Sequence, residues 1–112
     1  MCQNYDYVGS RRDGAFAEYV AVPVWNLIEI PQDLPFEVAA MLEPFSVALH
    51  AIKFGQISAG DKVAIIGTGM IGIAAGLWAG MRGAGQVTVI GRSEEKRPMI
   101  EKAGLEYLVP GT

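Results

Sequence analysis

Residues 67–72 read Gly-Thr-Gly-Met-Ile-Gly and follow directly on the apolar run Val63-Ala64-Ile65-Ile66. A buried parallel strand that runs into G-x-G-x-x-G is the phosphate-binding turn of a dinucleotide fold, and each glycine has a physical task there. Gly67 permits the tight turn out of the strand. Gly69 lets the backbone approach a pyrophosphate with no Cβ in the way, and Gly72 lets the following helix lie close on the sheet. Met70 and Ile71 complete the turn, where the helix N-terminus offers free N–H groups and the positive end of its dipole to the phosphates.

A second constellation lies about 20 residues further on, at the place where such folds carry an Asp or Glu that binds the adenosine ribose and repels a 2′-phosphate. That place holds Gly91, followed by Arg92 and Ser93. Without the carboxylate there is room for a phosphate, which Arg92 can hold through a charge-assisted fork. The pattern predicts NADP(H), with NAD(H) as the alternative. The competing reading of Arg92 is a solvated loop arginine near Glu94 and Glu95.

The elements that must position these residues are readable from periodicity and punctuation. Lys62–Ile66 and Gln86–Ile90 read as parallel strands, with the start of a third near 107–109. The helix between the first two covers about 71–82, is apolar nearly all round, and ends at Gly83-Ala84-Gly85. Ser93 can N-cap a last helix, in which Pro98 falls unusually deep and nothing in the sequence accounts for it. Upstream, Pro35 opens a short helix over 35–42 that Pro44 breaks. A second helix runs over 45–54, with Gly55 as its C′ residue. Residues 15–24 and 25–30, rich in β-formers such as Phe16, Tyr19 and Val20, read as antiparallel strands.

Length and composition set limits. The 112 residues are 51% hydrophobic, enough for a core but too few for a full doubly wound sheet, so the chain is expected to be part of something larger. A net charge of −3 with no basic stripe argues against nucleic acid as a partner. The single cysteine, Cys2, excludes an internal disulfide and points to a reducing, cytoplasmic compartment. The uncharged run 63–81 is long enough to span a membrane, but its glycines sit where a turn needs them and a strand follows, so no membrane partner is expected.

The segments Gly9-Ser10-Arg11-Arg12-Asp13-Gly14-Ala15-Phe16-Ala17-Glu18-Tyr19 and Leu42-Glu43-Pro44-Phe45-Ser46-Val47-Ala48-Leu49-His50-Ala51, followed by the glycine turn, carry a family resemblance. In that order they resemble the zinc-dependent medium-chain alcohol and polyol dehydrogenases, and within them the sorbitol and galactitol-1-phosphate dehydrogenase branch. The resemblance implies an α/β architecture in which residues 1–42 end a β-rich GroES-like catalytic domain and 43–112 begin a Rossmann domain, which is incomplete here. It implies hydride transfer between a polyol or sugar-phosphate secondary alcohol and NAD(P), in a cytoplasmic enzyme that is a homo-oligomer when complete.

By the same resemblance, Glu43 takes the place of a catalytic-zinc ligand and Cys2 that of the fourth cysteine of a structural zinc lobe. Zinc would polarise the alcohol oxygen so that hydride can leave the carbon. Ile71 and Val47 would line the nicotinamide, and Arg11 and Arg12 could meet a substrate phosphate. Blander readings stand beside these: a surface carboxylate for Glu43, a terminal thiol for Cys2, a packed structural histidine for His50, and a solvated turn for the two arginines. The family's upstream Cys and His-Glu pair are not in this chain, so as given it is expected neither to bind zinc tightly nor to turn over substrate. Alternative functions are a zinc-free quinone-reductase-like NADPH enzyme and a non-catalytic nucleotide-binding module.

Overall fold

A computed structural model describes residues 3–111 of the chain; Cys2 therefore lies outside the described residues. The chain divides between Leu34 and Pro35 into two compact units.

The first unit, residues 3–34, is built of turns. It contains a single isolated bridge between Val8 and Arg12 and one 3-10 turn, Val24–Asn26. The antiparallel strands expected over 15–24 and 25–30 do not form. β-formers such as Phe16, Tyr19 and Ile28 remain exposed, and no described residue of this unit is buried. β-propensity expresses how well a residue fits a half-buried pleated surface, and these segments have no neighbouring strand to create one.

The second unit is α/β. Helix α1 spans Phe36–Ala39 and helix α2 spans Leu42–Phe54. Strand β1 (Lys62–Ile66), helix α3 (Met70–Met81) and strand β2 (Gln86–Ile90) follow. A 3-10 turn at Glu94–Lys96 leads into helix α4 (Arg97–Lys102) and strand β3 (Glu106–Leu108). The sheet order is β1-β2-β3 and all pairs are parallel, with Ile66 opposite Ile90 and Ile90 opposite Leu108. Parallel neighbours require crossover connections, which α3 and α4 supply.

Three helix boundaries differ from expectation, each for a backbone reason. Pro44 does not break a helix; it is the third residue of α2, where an N–H has no intrahelical acceptor to lose, so α2 begins at Leu42 and not after the proline. Gly55 closes α2 in right-handed geometry, and the left-handed residue after it is Gln56, at φ 51°. Pro98 is shallow, because the 3-10 turn ends before α4 starts and the proline falls in the first turn of α4.

The core lies between the helices and the sheet. Ala48 and Ile52 of α2 and Ala74, Ala75 and Ala79 of α3 belong to one buried cluster with Val87 and Val89 of β2, Ile100, Leu105 and Tyr107. Small residues on α3 let it approach its neighbours closely. Trp78 then ties α3 to α2, its indole N–H donating to the Phe45 carbonyl at 3.1 Å. No helix of the described residues is long and apolar enough to cross a membrane; the uncharged run 63–81 is divided between β1, the glycine turn and α3.

Candidate dinucleotide site

The carboxyl ends of β1 and β2 meet the N-terminus of α3, the place where open parallel sheets bind ligands. Gly67 continues the ladder one residue past β1, its N–H donating to the Ile90 carbonyl at 2.9 Å. Its φ of 115° is a backbone conformation that favours glycine. A Cβ on Gly72 would overlap the Gly67 carbonyl oxygen, so the first turn of α3 rests on the turn that precedes it. Gly69 differs from both. A Cβ there would meet nothing within 4 Å, and the space beside it is open to a ligand.

Gly69 is also the N-cap of α3 and supplies no side-chain acceptor. The N–H groups of the first turn, those of Met70 and Ile71 among them, therefore have no intrahelical partner. Together with the helix dipole they form an anion-binding end. Met70 and Ile71 are each 48% exposed and line an apolar groove of about 470 Å³ with Gly67, Gly69 and Gly72. Val47 is exposed on α2 and does not line that groove.

On the other side of the turn lies a cleft of about 510 Å³, lined by Gly67, Thr68, Gly69, Gly91, Arg92 and Lys96 among others. Both charged residues of its lining are cations. Lys96 donates to the Thr68 carbonyl at 3.0 Å and so bridges the mouth of the cleft. Arg92 makes no hydrogen bond or ion pair among the described residues. Of its two acidic neighbours, Glu94 is engaged elsewhere, since Arg97 donates to its carboxylate at 2.9 Å and holds it below the usual glutamate range, and Glu95 forms no ion pair among the described residues. Lys96 was missed by the sequence reading because it sits in a charged run, Glu94-Glu95-Lys96-Arg97, which ordinarily marks a solvated surface. The spatial neighbour Thr68 is far from it in sequence.

Gly91 is buried at the end of β2, and a Cβ on it would overlap the Tyr107 hydroxyl and stand 2.6 Å from the Thr68 methyl carbon. The sequence pattern assigns that glycine to ligand room; in the structure the room belongs to Tyr107. The tyrosine hydroxyl donates to the Ser93 carbonyl at 2.6 Å.

The remaining candidates do not line this cleft. Glu43 is exposed in the first turn of α2, and its backbone carbonyl accepts from the Ser46 hydroxyl at 2.7 Å. His50 is exposed, with its ring 4.7 Å from that of Phe54. Among the described residues no group of three His, Cys, Asp or Glu side chains could hold a metal ion, so these residues do not by themselves make a zinc site. In the first unit Arg12 pairs with Asp6, and Arg11 lies over the Tyr5 ring at 4.9 Å. A cleft of about 590 Å³ near Arg12, Phe16 and Tyr19 is formed by loops with no buried side chain and carries no cluster of reactive groups.

No family model matches the sequence. The chain is 44% identical to galactitol 1-phosphate 5-dehydrogenase of Escherichia coli K12 over 93% of its own length and 30% of that protein. It is 37% identical to L-threonine 3-dehydrogenase of Sinorhizobium medicae over 97% of its length and 31% of that protein. Among solved structures it superposes with a TM-score of 0.88 and 38% identity on a Sinorhizobium meliloti protein described as a zinc-binding dehydrogenase and crystallised with NADP. That match covers 98% of this chain and 32% of the other. The chain thus spans about 30% of the length of the curated relatives it matches.

Proposed function

We infer from this kinship that the chain belongs to the zinc-dependent medium-chain alcohol and polyol dehydrogenases and that it carries part of the dinucleotide site of an NAD(P)-dependent dehydrogenase. The full-length enzyme transfers hydride between the secondary alcohol of a small-molecule polyol or sugar phosphate and NADP(H). Residues 1–42 then end a GroES-like catalytic domain and residues 43–112 begin the Rossmann domain. The enzyme works as a cytoplasmic homo-oligomer, without nucleic acid or a membrane.

One observation carries the nucleotide reading: an open, uncapped glycine turn beside a cleft lined, among the described residues, by the charges of Arg92 and Lys96 alone. The pyrophosphate lies against Gly67, Gly69 and the first-turn N–H groups of Met70, Ile71 and Gly72. The adenosine ribose reaches Gly91, where its 2′-phosphate is held between Arg92 and Lys96. The nicotinamide lies toward Ile71, on the apolar side of the turn, with Val47 further along. That the Sinorhizobium meliloti relative was crystallised with NADP supports this choice of cofactor, with NAD as the alternative.

Zinc belongs to the full-length enzyme, with Glu43 as one donor and Cys2 in a structural lobe. The described residues alone do not assemble a ligand set for it. Two measurements test the reading in the full-length protein. NADP-linked oxidation of polyols and sugar phosphates should exceed NAD-linked oxidation. Glu43→Gln should abolish turnover and release about one zinc per subunit while NADP affinity stays unchanged. Turnover that survives Glu43→Gln with no zinc bound would replace this reading with the zinc-free quinone-reductase type.

A further inference from the structure

The side-chain place at residue 91 is occupied from a neighbouring strand. Tyr107, in the middle of β3, is 8% exposed and part of the core. Its hydroxyl and its Cε2 atom close one side of Gly91, the latter 2.7 Å from where a Cβ would be, and the Thr68 methyl closes the other. The ring is held firmly. Its hydroxyl donates to the Ser93 carbonyl at 2.6 Å, and the Arg97 guanidinium donates to the Tyr107 carbonyl at 3.0 Å. The same guanidinium lies 5.1 Å from the ring centre and is itself anchored by Glu94 and Glu101.

A carboxylate that selects an unphosphorylated ribose must grow from the end of β2. With the tyrosine in place no side chain can start there, because core atoms packed at near-crystalline density do not yield several tenths of an ångström freely. We propose that Tyr107 is a positioning residue for cofactor choice: it fills the carboxylate's place beside Gly91, bars selection of the unphosphorylated ribose, and fixes the Ser93 carbonyl so that the preceding Arg92 stays at the cleft. Gly91 and Tyr107 act as a pair. Changing the glycine alone cannot convert the site. The inference rests on the dinucleotide reading of the same cleft.

The test compares wild type, Gly91→Asp, Tyr107→Ala and the double variant in the full-length protein. Adenosine 2′,5′-bisphosphate and 5′-AMP serve as calorimetric probes, and thermal unfolding is followed in parallel. Wild type should prefer the bisphosphate. Gly91→Asp should weaken both probes and lower the unfolding midpoint. The double variant should regain 5′-AMP binding by about tenfold or more over Gly91→Asp and reverse the preference, a coupling expected only of sites in contact. Gly91→Ala, which adds a single methyl, gives a second and milder reading: it should lower the midpoint more beside Tyr107 than in the Tyr107→Ala background, where only the Thr68 methyl still meets it. Reversal by Gly91→Asp alone at an unchanged midpoint would overturn the role of Tyr107 while leaving the nucleotide site intact. Failure of wild type to bind either probe would overturn the nucleotide reading itself, and this proposal with it.

Discussion

At the residue scale the two cations of the cleft have different duties. Lys96 is partly spent on the Thr68 carbonyl, whereas Arg92 has no protein partner among the described residues. Arg92→Ala should therefore weaken adenosine 2′,5′-bisphosphate by about 10–100-fold, the usual worth of a hydrogen bond to a charged group. It should leave 5′-AMP nearly unchanged. Lys96→Ala should weaken the bisphosphate less and should also loosen the turn at Thr68, which faster amide exchange at residues 67–69 would report. Equal losses for both probes in Arg92→Ala would remove it from phosphate recognition. That the glycines and Arg92 lie together at the end of the sheet was legible in the sequence, because their placement follows from a fixed distance along one chain segment. Lys96 and Tyr107 were not, because each acts on a residue brought near only by the parallel register.

The elements show the same division. β1 and β2 were readable to the residue because continuous β-branched runs between turn signals have few competing conformations. The boundaries of α2 and α4 were not, since Pro44 and Pro98 sit at positions where a helix start and a helix break look alike in sequence. Two packing contacts then decide how well the elements hold the site. Gly72→Ala forces a methyl into the Gly67 carbonyl. It should cost about 1–3 kcal/mol of stability, the usual penalty of overpacking, and should weaken every ligand of the glycine turn alike. Trp78→Phe keeps most of the ring but deletes the bond to the Phe45 carbonyl. It should cost about 1 kcal/mol, visible as a lower denaturation midpoint with unchanged cofactor preference.

At the scale of the whole molecule, the second unit has a core and the described part of the first has none, and acid should act on the sheet of the former. The Glu106 carboxylate accepts from the Gln86 amide at 2.7 Å and the Thr88 hydroxyl at 2.8 Å. These bonds, with the more distant charge of Lys62, hold it below its ordinary value of 4.5. A group depressed in the folded state stabilises it above the unfolded value, and that stability is lost as pH falls through the folded value. Glu106→Gln retains an acceptor but no charge, so it should flatten the loss of stability below about pH 4.5. An unchanged acid limb would show that these bonds contribute nothing to it. The strands foreseen in the first unit were illegible for a related reason: a β-rich segment specifies a strand only when something lies beside it. The two tryptophans fall one in each unit, Trp25 at 85% exposure and Trp78 half-buried with its indole bonded. The molecule thus carries two intrinsic fluorophores of different colour, red-shifted in the first unit and blue-shifted in the second. A denaturant titration read at both wavelengths should report on the second unit through Trp78 alone.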